Sequence, residues 1–401
     1  MSEYSFENFT VQGFAGGAVK SGIRGKDRLD LGIIVSDKPA VAAGVFTTSQ
    51  VKAAPVVLGQ ERLKKGKAQA ILVNSGIANA CTGPEGMRNA RLTAAMAADA
   101  LGIGEETVQV SSTGVIGMQL DLECFRFGIP RLVGQLSPQG LGEVALAMMT
   151  TDTVPKTAVR EFVLGGRPVK LAGMAKGAGM IMPNMATMLC YLLTDAAVEA
   201  TTLHAMLQRS VAQSFNVITI DGDTSTNDTV LLLANGRAGN ALVNEASSDR
   251  GLFQEQLDAI CRDLALQIVR DGEGATKLVT VRVTGTRTAA EAEQAARTIA
   301  NSNLVKTAFF GEDANWGRII AALGRSGVSF AAEQVTIAFD QVVMVDKGIG
   351  LGKEAEAAAT RVLKQKEFTL TIDLHGGEAA AEVFTCDFSV EYVTINADYR
   401  T

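Results

Sequence analysis

Lys176-Gly177-Ala178-Gly179-Met180-Ile181-Met182-Pro183-Asn184-Met185-Ala186-Thr187-Met188-Leu189-Cys190 is the stretch on which the fold assignment turns. From Gly177 to Thr194 no side chain is charged, a length that by itself suits a membrane span of about 18 apolar residues or more. Gly177, Gly179, Pro183 and Asn184 break such a helix in its first half, and no basic flank sets an orientation, so a span is excluded. The glycines and the Pro-Asn turn instead deliver Thr187, behind the small Ala186, to the start of an apolar strand over 188–193. Two readings of Thr187 follow. β-Branched residues belong in strands, and the plain reading is an inert strand threonine. The chemical reading is that a cut between Ala186 and Thr187 leaves a free α-amine, whose reference pKa of about 8 makes it a general base for its own hydroxyl.

The remainder of the chain narrows what such a threonine could be part of. A length of 401 residues suggests two to three domains, each able to bury a core, and an apolar content of 47% excludes disorder over most of it. Aromatics are only 5%, so Ala, Val, Leu, Ile and Met must fill the interior. The formal charge is -6, and the longest basic run is Lys64-Lys65-Gly66-Lys67, which gives a nucleic-acid backbone little to bind. The first residues, Met1-Ser2-Glu3-Tyr4-Ser5-Phe6-Glu7, lack the basic flank and apolar centre of a secretory signal, so the cytoplasm is the expected compartment. Five cysteines, with no Cys-x-x-Cys pair, suggest neither a disulfide framework nor a thiolate metal site; no metal is expected. The only histidines are His204, in a helical pattern, and His375, beside a Gly-Gly turn. Covalent chemistry here therefore calls for a base other than imidazole.

Short β-branched runs bounded by turn residues predict strands at 31–35, 68–73, 159–164, 217–220, 279–283, 335–339 and 368–374. Gly165-Gly166 predicts a hairpin turn. Helical periodicity is clearest over 87–101, 202–214, 252–269, 289–301, 316–323 and 355–364. Strands and helices alternate irregularly, with hairpins among them. This predicts an α/β (mixed α+β) fold of mixed sheets flanked by helices, in two to three subdomains, with a subdomain cut near 275–285.

Three polar or glycine-rich segments invite a ligand reading. Asp221-Gly222-Asp223-Thr224-Ser225-Thr226-Asn227-Asp228 begins like a calcium loop, but its sixth place is Thr226 and its twelfth is Leu232, so a turn held by Asx-type bonds fits better. Lys347-Gly348-Ile349-Gly350-Leu351-Gly352-Lys353-Glu354 lacks the spacing of a phosphate loop and reads as a turn before the next helix. Ser111-Ser112-Thr113-Gly114-Val115-Ile116-Gly117 ends an apolar run. It reads either as an ordinary Ser-Thr-Gly loop or as a place where a backbone amide faces a ligand oxygen.

Residues 176–190 also resemble the cleavage segment of the ornithine acetyltransferase family, the dual-role glutamate N-acetyltransferases of arginine biosynthesis. The resemblance continues, in order, through Asn74-Ser75-Gly76-Ile77-Ala78-Asn79-Ala80-Cys81-Thr82-Gly83, residues 111–117, 221–229, Asp271-Gly272-Glu273-Gly274-Ala275-Thr276-Lys277, 309–317 and 396–401. It implies a self-cleaving N-terminal-threonine acyltransferase, cut between Ala186 and Thr187 into an α chain (1–186) and a β chain (187–401) that stay associated, as two α and two β chains.

The substrates it implies are N2-acetylornithine and glutamate, with Thr187 as the residue that carries the acetyl group between them. Thr113 and Gly114 match the family's oxyanion-stabilising pair, and Thr153, Lys176, Thr187, Glu273, Asn396 and Thr401 its substrate contacts. No cofactor is implied; acetyl-CoA is a co-substrate of some relatives. By charge alone, Lys176 and Glu273 read as solvated surface residues and the tail as frayed. A rival chemistry with the same nucleophile gives the ester to water, as an N-terminal-threonine amidase or aminopeptidase-like hydrolase does.

Overall fold

The computed structural model describes residues 4, 6–25, 27–182 and 188–398. They form two units, one from the chain up to Asn216 together with Asp223–Ile268, the other from Val217–Gly222 and the chain from Val269 onward. The division at Ile268/Val269 falls a few residues before the 275–285 window expected from sequence. Both units pair mixed sheets with flanking helices, the architecture that the periodicity predicts.

The first unit is organised by one long strand, Leu31–Phe46. Pro39, which has no amide proton to give a ladder, lies where its register against Lys67–Ile77 shifts between Val35 and Ala40. Before the shift the strand pairs with Phe14–Val19 and Lys67–Ile77; after it, Ala40 and Val41 still pair with Ala68 and Lys67, and the strand takes Thr229–Ala234 as its other partner. The sheet order is Val108–Val115, Lys67–Ile77, Leu31–Phe46, Thr229–Ala234, Leu189–Thr194, Arg167–Lys176, Lys156–Leu164. Gly165 and Gly166, both at positive φ (54° and 78°), form the hairpin turn joining the last two.

The two arms of this sheet share one core. Ile34, Ile71 and Val73 of the first arm pack in the same cluster as Met174, Tyr191, Leu193, Leu231 and Leu233 of the second. Alternation turns Ile33, Ala70, Leu72 and Val108 the other way, against Ala90, Ala94 and Ala97 of the helix Gly83–Leu101 and Phe125, Ile129 and Leu132 of the helix Leu122–Gly134. On the outer face of the second arm Gly173 admits the helix Arg250–Arg270 so closely that a Cβ there would lie 2.8 Å from Leu264 Cδ1. The layers therefore run helix, sheet, sheet, helix.

In the second unit a seven-stranded sheet has the order Ile349–Gly350, Val342–Asp346, Thr336–Phe339, Glu367–Asp373, Leu278–Thr286, Ala379–Cys386, Ile218–Thr219. Val279, Val281 and Val283, alternate residues of one strand, meet Ala292, Ala295, Ala296 and Ile299 of the helix Ala289–Ala300. That helix starts where Thr288 accepts the Glu291 amide, a cap worth about 1 kcal/mol. Phe309 stands edge-on to Phe368 at 5.4 Å between centroids, adding about 0.5–1.5 kcal/mol to the area both bury. Lys347 and Gly348, at φ 47° and 72°, are the turn of a short hairpin, so the glycine-rich run here shapes a chain reversal.

Candidate active site

Strand periodicity, applied to the two arms of the first unit, determines what meets at the end of their shared core. Ala172 and Met174 face inward, so Lys176, two residues on, does the same at the strand's end. On the other arm Thr113 lies beside Ser75 and points to the same side as the inward Ile71 and Val73. The two side chains meet: Lys176 Nζ donates to Thr113 Oγ1 at 3.4 Å and to Thr150 Oγ1 at 2.8 Å. Lys176 is 3% and Thr113 4% exposed, so the solvated-charge reading of Lys176 fails.

A buried ammonium needs compensation, because an unpaired charge in a protein interior costs several kcal/mol. Asp152 supplies it. Its Oδ2 lies 3.9 Å from Lys176 Nζ and accepts the Thr150 amide at 3.0 Å, while Oδ1 accepts from Lys156 Nζ at 2.6 Å and from the Gly177 amide at 2.7 Å. Burial by itself would raise the Asp152 pKa; the ammoniums of Lys156 and Lys176 and the Thr150 amide outweigh it and hold the carboxyl below the usual carboxylate range. One buried carboxylate thus faces two ammoniums, with the closer contact going to Lys156.

Thr113 lies near the end of the strand Val108–Val115, not in the loop expected from sequence, and this strand end is fixed from behind. Gly114 has φ +128°, and a Cβ on it would lie 2.3 Å from the Gly76 carbonyl carbon, so only glycine lets the two backbones approach. Asn227 Nδ2 donates to Ala78 O at 2.7 Å and Ser112 O at 2.8 Å, and Ser112 Oγ donates to Asn74 Oδ1 at 2.7 Å. Arg24 packs over Gly76 and donates to the carbonyls of Met149 (2.5 Å) and Thr150 (3.3 Å), tying the Thr150 turn to the same end of the unit. The strand Leu189–Thr194 begins beside these groups, with the Met188 amide donating to Asp228 Oδ1 at 2.9 Å.

The structure thus gathers Thr113, Gly114 and Lys176 in the first unit. Thr153 follows Asp152 in the same turn; it is exposed, and its carbonyl accepts the Tyr4 hydroxyl at 3.2 Å. In the second unit Glu273 and Asn396 pair with each other, Asn396 Nδ2 donating to Glu273 Oε2 at 2.7 Å. Glu273 is buried, and the helix Val390–Asp398 that carries Asn396 packs against its turn: a Cβ on Gly274 would lie 2.6 Å from Ser389 Oγ. The chain up to Asp398 is therefore docked, against the expectation of a frayed tail. Ala186, Thr187 and Thr401 lie outside the described residues.

Sequence spacing did not single out Asp152, Lys156, Arg24 or Asp228. The i,i+4 spacing of Asp152 and Lys156 was the one available signal, and it is also the spacing of an ordinary surface pair. Among the described residues no group of three or more His, Cys, Asp or Glu is placed to hold a metal ion, and no helix is long and apolar enough to cross a membrane.

Comparison with known proteins adds what geometry alone does not give. The model of the ArgJ family matches residues 15–401. The arginine biosynthesis bifunctional protein ArgJ of Desulfotalea psychrophila is 55% identical over 391 residues, 98% of this chain and 100% of the relative. Its counterpart in Geobacter sulfurreducens is 52% identical over 391 residues, with the same coverage, 98% and 100%. Among solved structures, the arginine biosynthesis bifunctional protein ArgJ of Bacillus halodurans is 41% identical, covering 51% of this chain and 96% of that one at a TM-score of 0.49.

Proposed function

The chain belongs to the ArgJ family and is an acyltransferase, and from that premise we propose that it carries an acetyl group from N2-acetylornithine to glutamate by way of Thr187. The observation that bears most weight is the buried contact of Lys176 with Thr113 near Met188, the residue just before the strand Leu189–Thr194. It gathers a cation for a substrate carboxylate and a hydroxyl for an oxyanion next to the residue bonded to Thr187.

Maturation comes first. The Thr187 hydroxyl attacks the Ala186 carbonyl, the peptide becomes an ester, and water opens it, giving chains 1–186 and 187–401 and a free Thr187 α-amine. That amine takes the hydroxyl proton as Thr187 Oγ attacks the acetyl carbonyl of acetylornithine. The Thr113 hydroxyl and the Gly114 amide stabilise the oxyanion. Because Lys176 donates to Thr113 Oγ1, the proton of that hydroxyl is left to point at the developing charge. Ornithine leaves with the proton, the glutamate amine attacks the threonine ester, and N-acetylglutamate departs, a ping-pong sequence.

Lys176 pairs with a substrate carboxylate, and Glu273 with an amine, since both substrates are amino acids. Thr153, Asn396 and Thr401 complete the substrate contacts. The assembly is two α and two β chains, no cofactor is needed, and acetyl-CoA with glutamate is the assay for a second donor. The test is stoichiometric: acetylornithine and glutamate should yield ornithine and N-acetylglutamate in equal amounts. Free acetate in place of N-acetylglutamate would mean a hydrolase and refute the transfer.

A further inference from the structure

In the turn after the helix Leu141–Ala147, Thr150 is held by every polar group but one. Its amide donates to Asp152 Oδ2 at 3.0 Å, and its carbonyl accepts from Arg24 Nη2 at 3.3 Å. Its hydroxyl oxygen accepts from Lys176 Nζ at 2.8 Å, nearer than the 3.4 Å from the same nitrogen to Thr113 Oγ1. Thr150 is buried, and its hydroxyl proton has no acceptor among the described residues. The Thr113 hydroxyl is in the same condition. A threonine hydroxyl can give one hydrogen bond as well as accept, and in both residues only the accepting side is engaged.

The ammonium does more than fix the two oxygens. A hydroxyl that accepts from a charged donor becomes a stronger donor in turn, because each bond in a chain polarises the next. Lys176 therefore presents two polarised O–H groups, one from the strand Val108–Val115 and one from this turn, and their complement is a negatively charged oxygen. The two hydroxyls differ in their surroundings. Thr113 is followed by Gly114, whose amide forms a donor pair with it in the proposed mechanism. The Thr150 amide is engaged by Asp152, so Thr150 offers a single donor beside the ammonium. Thr153, three residues along the same turn, is exposed and is a substrate contact in the same mechanism.

We propose that Thr150 is a further substrate-binding residue, whose hydroxyl donates to the carboxylate of N2-acetylornithine next to Lys176 and leaves the Thr113 hydroxyl for the oxyanion. The assignment rests on the proposed pairing of Lys176 with a substrate carboxylate.

Thr150→Val and Thr150→Ala, with Thr150→Ser as the conservative variant, test it in the purified enzyme. Valine keeps the shape of the side chain without the hydroxyl, alanine removes both, and serine keeps the hydroxyl. The readouts are kcat and KM for acetylornithine at saturating glutamate, the same constants for its α-carboxamide, and the melting temperature. Loss of the hydroxyl should raise KM for acetylornithine by about 10- to 100-fold, the scale of a hydrogen bond to a charged group, with kcat little changed because the carboxylate takes no part in the reaction. Thr150→Ser should bring KM back close to the wild-type value. An unchanged KM in Thr150→Val and Thr150→Ala would overturn the assignment. So would a fall in kcat at constant KM, which puts the hydroxyl at the reacting carbonyl, and so would a loss that serine does not restore, which marks a packing role. A wild-type enzyme that takes the carboxamide as readily as the carboxylate would instead defeat the pairing of Lys176 on which the assignment rests.

Discussion

Lys176 Nζ stands 3.4 Å from Thr113 Oγ1 although four other strands separate theirs in the order of the sheet. The contact exists because the sheet closes on itself around the strand Leu31–Phe46, bringing its two arms onto one core. In the proposed mechanism it links a substrate-binding role to an oxyanion role, so a change at Lys176 should be felt twice. Lys176→Met is expected to lower kcat/KM for acetylornithine by about 10²–10³-fold, the usual loss of an electrostatic contact to the transition state. Steady-state kinetics should show both a raised KM and a lowered kcat; a change in KM alone would confine Lys176 to substrate binding.

Gly114→Ala should be harmful for a purely steric reason. Its Cβ would meet the Gly76 carbonyl carbon at 2.3 Å in a backbone at φ +128°. A strain of about 1–3 kcal/mol is expected for the dihedral alone, with the close contact adding to it. Gly117→Ala is the control: Gly117 also has positive φ, +85°, but nothing lies within 4 Å of the added atom. Thermal melts should show the larger loss at Gly114, accompanied by loss of transfer.

The sequence made the local elements legible and left the closure hidden. Alternating β-branched runs marked Leu278–Thr286 and Glu367–Asp373, and the double glycine marked the hairpin at 165–166. Pro39 concealed the second half of Leu31–Phe46, since a proline argues against a continuing strand, and Pro130 concealed the helix Leu122–Gly134 in the same way. The site was visible only as separate motifs. Nothing in the spacing of 113, 152, 156 and 176 says that Asp152 lies between two lysines, because that follows from how the arms fold together and not from any local period.

That buried triad has a signature in acid. Asp152 has a pKa held below its ordinary value, so the folded state gains stability above the unfolded carboxyl's pKa of about 3.9 and loses it as pH falls through the lower folded value. Lys156→Met removes the ammonium at 2.6 Å and leaves Asp152 with Lys176 at 3.9 Å. The expected cost near neutral pH is about 3–5 kcal/mol, that of breaking a buried ion pair from one side. Urea melts at pH 7 and pH 3 should show the difference between variant and wild type narrowing in acid.

Asp228 has the opposite sign. Its raised pKa means the folded state holds a proton that the unfolded chain has released, so its contribution to stability falls as pH rises above about 4. Asp228→Asn should therefore gain melting temperature relative to wild type as pH is raised from 4 to 8. A constant difference across that range would show that Asp228 does not titrate in this way.

At the other end of the chain, Asn396→Ala breaks the 2.7 Å bond to Glu273 at the exposed face of the terminal helix. If these residues contact substrate, KM for acetylornithine should rise about 10-fold with little change in melting temperature, and deletion of 396–401 should do more. Unchanged kinetics in both would remove the tail from substrate binding.

Intact-mass spectrometry of the purified active enzyme, before and after acetylornithine, tests the central claim most directly. The account predicts two chains, 1–186 and 187–401, with a single acetyl group appearing on the second and disappearing when glutamate is added. A fully active protein that remains one unbroken chain, or one that turns over without an acetyl group ever residing on the chain beginning at Thr187, would contradict it.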